Sequence, residues 1–190
     1  MNPRSLYAPV VLGLVLAGAG VFASLTRTWG ETVVRAEGLP EDQIAVTGSE
    51  AMPVVSALGI VLLASGLAVL AGSRRVRQVL GVLVALVAAG CLVWVVAGSG
   101  DAVSGAVLSA VRESASFTGD NAPGDVAVSP WRWATAVALA LAFACGAATA
   151  RLAGSWPTMS SRYESPAARA TTEDETDMWK AFDDGRDPTE

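Results

Sequence analysis

Site chemistry calls for side chains that move protons, hold metals or attack electrophiles, and this sequence is short of all three. It contains no histidine and only two cysteines, so the commonest metal ligand and general base is missing. Cys91 lies fourteen residues beyond Arg77, and Cys145 fourteen beyond Trp131. With Arg77 at the inner face and Trp131 at the outer one, the helical rise places the two sulfurs ~21 Å from opposite faces, at different depths, so they should not bond. Both read as small buried hydrophobes. Glu31, Glu37, Glu41, Asp42 and Glu50 make one connection acidic, but their spacing matches no calcium loop and reads as a solvated surface. The sequence therefore nominates no catalytic, cofactor-binding or metal-binding residue, and the expected class is non-enzymatic.

The one stretch that suggests recognition is near the end, "TTEDETDMWKAFDDGRDPTE". Met178, Trp179, Ala181 and Phe182 place apolar groups within one helical turn, and Asp174, Glu175 and Asp177 sit where a helix N-terminus favours anions. Gly185 and Pro188 then stop the helix. A short helix over 174–183, with Met178, Trp179, Phe182 and Asp183 as its contact residues, has the form of a linear motif that folds into a groove on a cytoplasmic protein. The blander alternative is an acidic tail whose Trp does nothing or dips into the membrane. Repulsion from anionic lipid weakens the membrane version.

Everything before that tail is built for lipid. The chain is 52 % apolar and 16 % charged, outside the balance of a soluble domain. Four charge-free runs, 6–25, 53–72, 79–98 and 134–150, the last extended outward by Trp131 and Trp133 to a span of 131–150, are each long enough to cross a ~30 Å hydrocarbon core as a helix. The expected fold is an all-α integral membrane protein. Its membrane domain, 1–153, is a four-helix transmembrane bundle with outer connections 26–52 and 99–130 and an inner turn at 73–78. The remainder, 154–190, is expected to be a disordered acidic cytoplasmic tail, too poor in apolar groups to offset ordering. Cleavage of the first run as a signal peptide is the lesser alternative, because that run is long for one.

Arginine sets the orientation. Arg74, Arg75 and Arg77 crowd the short turn between the second and third runs, which places that turn and both termini in the cytoplasm of a bacterial plasma membrane. The same three residues suit contact with anionic lipid. Trp29, Trp94, Trp131 and Trp133 fall near the outer boundary and Trp156 near the inner one, as an interfacial indole belt. A net charge of -5 argues against nucleic acid.

Between the spans, "TVVRAEGLPEDQIAVT" predicts a small outer β-hairpin over 32–36 and 43–47. Val103, Val107, Ala110 and Val111 share one helical face, which predicts a short helix lying on the outer leaflet. "SPWRW" reads as a helix start, with Ser129 as N-cap and Pro130 in the first turn. Small residues recur every four positions at 134–150, 64–72 and 81–89, as ridges for close helix packing. They read as packing faces within one chain before they read as a homo-oligomer interface. No Asp, Glu, Lys, Arg or His lies within the charge-free runs, which disfavours a coupled carrier.

Several landmarks in order resemble a known family: Trp29 after the first run, "VTG" at 46–48 with Pro53 opening the second, the basic "RRVR" turn, and the closing "MWKAFDDGRDPT". These are similar to the tryptophan biosynthesis-associated membrane proteins of actinobacteria, small four-span proteins encoded near tryptophan genes. The resemblance implies a pathway association and no catalytic residue, cofactor or ligand. Two functions fit: a membrane protein that anchors or regulates a cytoplasmic partner through its tail, and a permease or export helper for tryptophan, indole or a related aromatic compound.

Overall fold

The computed structural model describes residues 6–35, 41–114, 117, 119 and 124–156. By its contacts the chain divides into Met1–Ser155 and Trp156–Glu190. The first unit holds every element below. Only Trp156 of the second falls within the described residues.

Four helices are long and apolar enough to cross a membrane. Helix α1 runs Tyr7–Leu25 and leads into strand β1, Thr28–Val34, and strand β2, Asp42–Thr47. A one-turn helix α2, Gly48–Ala51, connects to α3, Pro53–Ala71. Then follow α4, Arg74–Glu113, strand β3, Ala127–Val128, and α5, Trp131–Leu152 with a 3-10 turn at Ala153–Ser155. The bundle is packed as α3 on α1, α1 on α5 and α5 on α4, with a lighter contact between α3 and α4. Leu12, Leu16, Ile60, Leu67, Leu86 and Val137 are all more than half exposed on its outside. Such a girdle would be an association hazard in water and is the ordinary surface of a helix in lipid.

Glycine sets the closest approaches. A Cβ added at Gly81 would stand 2.5 Å from the Ala150 nitrogen, and one at Gly146 would stand 2.8 Å from the Ala85 nitrogen. Helices α4 and α5 therefore meet backbone to backbone at Gly81, Ala85, Gly146 and Ala150, members of the ridges expected for the third and fourth spans. The ridges are not followed throughout, since Ala134 is exposed and α4 buries Ala88 in place of Ala89. The second span departs from expectation. Ala64 and Ala68 are exposed, and α3 instead buries Val55, Gly59, Leu62, Gly66 and Val69 against α1. That face repeats every seven residues, not every four. Gly18 of α1 completes it, since a Cβ there would lie 2.7 Å from the Leu63 nitrogen.

The largest departure is α4. The expected third span and surface helix are one helix of 40 residues, ~60 Å long against a hydrocarbon core of ~30 Å. Its last third, from about residue 101, stands beyond the start of α5 as a post. Val103, Val107 and Val111 are buried because a sheet leans on them, whereas a helix lying on a leaflet would turn them into lipid. A Cβ at Gly30 would collide with Val103 and meet Val107, so β1 lies against the post where it has no side chain.

The expected hairpin is present with longer strands. β1 and β2 pair antiparallel, with Thr32 opposite Ile44 and Val34 opposite Asp42. β3 joins on the other side of β1, giving the order β2-β1-β3, a strand the sequence reading did not include. α2 is fixed by a capping box: the Glu50 nitrogen donates to Thr47 Oγ1 at 3.3 Å, while the Thr47 nitrogen donates to Glu50 Oε2 at 2.6 Å, satisfying two end donors reciprocally. At α5 the N-cap is Pro130, one residue later than expected. Ser129 contributes only a long contact, 3.5 Å from the Trp131 nitrogen.

Candidate functional sites at the two ends of the bundle

The turn between α3 and α4 is only Gly72 and Ser73, so the first turn of α4 faces the last turn of α3. That brings Arg77 beneath carbonyls that the end of α3 leaves without helical partners. Arg77 Nε donates to the Val69 carbonyl at 2.8 Å, and Nη2 donates to Leu70 at 3.3 Å and to the Tyr7 hydroxyl at 3.4 Å. Its Cζ lies 5.1 Å from the centre of the Tyr7 ring. Arg77 is 2 % exposed. The lipid contact expected of it is thus replaced by a capping role, since its charge is directed at the negative end of α3 and at an aromatic face. It ties the start of α1, the end of α3 and the start of α4 together.

Arg74 and Arg75 remain exposed and line a shallow cavity with Ser73 and Gln78. Arg74 also crosses the end of α5, where a Cβ on Gly154 would lie 2.7 Å from its Nη2. The three arginines therefore divide into one internal clamp and two surface charges.

The other end carries the sheet and most of the indoles. Trp94, Trp131 and Trp133 are 45 %, 44 % and 51 % exposed, as interfacial side chains should be. Trp29 is not among them. It is fully buried beneath α2, where a Cβ on Gly48 would lie 2.5 Å from its ring, and its Nε1 donates to the Ser24 carbonyl at 3.0 Å. Trp29 belongs to the seat of the sheet, not to the belt, because the chain turns at Thr26–Arg27 and folds its first strand back over the helix end. Trp156, at the last described position, is buried as well, which departs from the inner-belt placement expected of it.

Two further residues at this end carry structure that the sequence reading missed. Ser24 Oγ and Thr135 Oγ1 are 2.7 Å apart, joining α1 to α5 in a buried hydrogen bond. Just beyond that pair, the Arg27 guanidinium stacks over Trp131 at 5.4 Å, and Arg132 stacks over Trp133 at 5.1 Å. A polar residue on the inward face of each span was the available signal for the Ser24–Thr135 pair.

Among the described residues no group of three or more His, Cys, Asp or Glu is placed to hold a metal. Cys91 and Cys145 are buried free thiols. The tail residues Met178, Trp179, Phe182 and Asp183 lie outside the described residues.

Residues 11–189 match the profile of a family described as tryptophan-associated transmembrane protein. No curated protein matches the chain closely enough to serve as a relative.

Proposed function

Because the chain belongs to the tryptophan-associated transmembrane protein family, we propose that it is a non-enzymatic multi-pass membrane protein serving tryptophan biosynthesis. On this reading its bundle is an anchor, and its C-terminal segment recruits or regulates a cytoplasmic protein. The observation that carries it is how the bundle is held together. Its helices meet backbone to backbone at Gly18, Gly81 and Gly146, and Arg77, the one buried arginine among the described residues, donates to carbonyls of α3 and to Tyr7. A coupled carrier needs ionisable groups facing a path through the membrane, and this interior offers packing instead. The family match extends to residue 189, so the segment around Trp179 and Phe182 lies within the matched region. The exposed Arg74 and Arg75 support a cytoplasmic turn, hence cytoplasmic termini, by the positive-inside rule.

The test is a crosslinked, mild-detergent purification of the full chain beside one ending at Ala170, with co-purifying proteins identified by mass spectrometry. A soluble tryptophan-pathway enzyme recovered only with the full chain supports docking through the tail. Identical protein lists would sink it. Tryptophan or indole flux in vesicles would then test the second reading, a permease or export helper.

A further inference from the structure

Between the sheet and the start of α5 lies a cavity of about 410 Å³, lined by Arg27, Thr28 and Glu31 on one side and Ser129, Pro130 and Trp131 on the other. Arg27 and Glu31 carry opposite charges, yet among the described residues the ion pair formed is Arg35 with Glu41, and neither Arg27 nor Glu31 is in one. Arg27 is held over the Trp131 ring. Glu31 sits on β1 opposite Ala127 of β3 and Ala45 of β2, where neither neighbour offers it a cation. One cavity is thus lined by a guanidinium and a carboxylate, neither of them in an ion pair.

We propose that this cavity binds the zwitterionic headgroup of an aminophospholipid, phosphatidylethanolamine, with its phosphate on Arg27 and its primary ammonium on Glu31. An Arg–phosphate contact is charge-assisted and can be bidentate, and the ammonium supplies the donors that a carboxylate needs. The hydroxyls of Thr28 and Ser129 line the same wall.

Position selects a lipid over a soluble zwitterion. The cavity opens at the end of the α1–α5 seam, directly beyond the Ser24–Thr135 hydrogen bond, with Trp131 at the headgroup level that indoles favour. Below it the two helices stay shallow against each other, since a Cβ on Gly20 would be 3.3 Å from the Ala138 methyl. On helical phase, Leu16 and Leu141 fall on the flanks of that seam. They are 57 % and 42 % exposed, an apolar track for acyl chains. Headgroup chemistry selects among lipids. A choline headgroup cannot donate hydrogen bonds to Glu31, and the Trp131 face, the natural seat for a quaternary ammonium, is covered by Arg27. An anionic glycerol headgroup leaves Glu31 without a partner and is repelled by it.

The experiment is native mass spectrometry of the full chain released from detergent with dioleoyl phosphatidylethanolamine, phosphatidylcholine or phosphatidylglycerol. Exposed charge pairs contribute little each, so the expected preference for the ethanolamine lipid is about five-fold. Arg27→Gln should lower its retention by a similar factor, and Glu31→Lys should reverse the order in favour of phosphatidylglycerol. Both positions are exposed, and an unchanged melting temperature confirms that each variant is folded. Equal retention of the three lipids, or a Glu31→Lys order identical to the wild type, overturns the proposal. So does saturable uptake of a free α-amino acid in equilibrium dialysis without any lipid preference, which would assign the charge pair to a soluble ligand.

Discussion

The contact between α4 and α5 gives the sharpest test of the bundle, because two glycines differing only in surroundings lie on the same helix. At Gly81 an added methyl would stand 2.5 Å from the Ala150 nitrogen and 2.8 Å from the Gly146 oxygen, whereas at Gly90 nothing lies within 4 Å. Ordinary contact begins near 3.4 Å, so Gly81→Ala requires α4 and α5 to separate by most of an ångström. Neither obstacle can rotate away, because both are backbone atoms. Overpacking of this kind costs about 1–3 kcal/mol. Gly90→Ala meets no obstacle and gains helix propensity of about 1 kcal/mol on the soluble-peptide scale.

The assay is reversible unfolding of both variants in mixed micelles, followed by circular dichroism. Gly81→Ala should unfold earlier than the wild type, and Gly90→Ala at the same point or later. In thermal terms the separation is several degrees, at about 2–4 °C per kcal/mol for a chain of this size. Equal destabilisation by the two variants would refute backbone-to-backbone packing as the source of the contact. Gly146→Ala, which meets the Ala85 nitrogen at 2.8 Å, should resemble Gly81→Ala.

Arg77→Gln should cost about 1.5–3 kcal/mol, the range for hydrogen bonds made by a charged group, while Arg75→Gln on the surface changes nothing; equal melting temperatures would remove the capping role. Ser24→Ala with Thr135→Val should show a coupling of about 0.6 kcal/mol in a double-mutant cycle, typical of side-chain hydrogen bonds between membrane helices, and strict additivity would show that their 2.7 Å contact contributes nothing. Val107→Asp should leave the bundle melting intact but expose the 26–52 connection to protease, because the aspartate is placed under β1; protection equal to the wild type would contradict a sheet seated on α4. Cysteines placed at Ser73 and at Gln43 should be labelled by a membrane-impermeant thiol reagent from opposite sides, the first only after the cytoplasmic face is opened. Labelling of Ser73 in intact cells would reverse the proposed orientation.

Four spans were readable from length and charge because lipid imposes both: a run short of ~20 apolar residues does not cross. The same rule hid the full extent of α4. "AGSGDAVSGAV" looks like the end of a span, with Gly98, Gly100 and Asp101 in succession, and a helix need not stop where its hydrocarbon layer does. Burial at Val95, Ser99, Val103, Val107 and Val111 shows the continuity. Its four-residue period was in the sequence, with a serine in the middle to disguise it. Alanine abundance misdirected the second span, where Ala64 and Ala68 have the right spacing but the glycines at 59 and 66 have the right geometry. Trp29 and Arg77 were assigned to the interface by type, since composition reports where an indole or guanidinium prefers to lie. Whether it instead finds a carbonyl within reach depends on where the chain turns.

That dependence joins the two ends of the molecule. At one end Arg77 replaces a loop by fixing three helix ends, so the turn there needs only Gly72 and Ser73. At the other, Trp29 donates to the carbonyl of Ser24, whose hydroxyl holds Thr135 four residues into α5, so the sheet and the α1–α5 seam share one set of partners. A disturbance in the sheet is then felt at the seam through Trp29 as well as at α4 through Val103 and Val107, whereas a disturbance at Gly81 or Gly146 is felt along α4 and reaches the sheet only through that second contact. Trp29→Phe should separate these routes, because it keeps the buried ring and removes only the donor. Phenylalanine there should weaken the coupling between Ser24 and Thr135 while leaving the Gly81→Ala penalty unchanged. A Gly81→Ala penalty that shrank equally in the Trp29→Phe background would show instead that the sheet and the whole bundle yield as one unit.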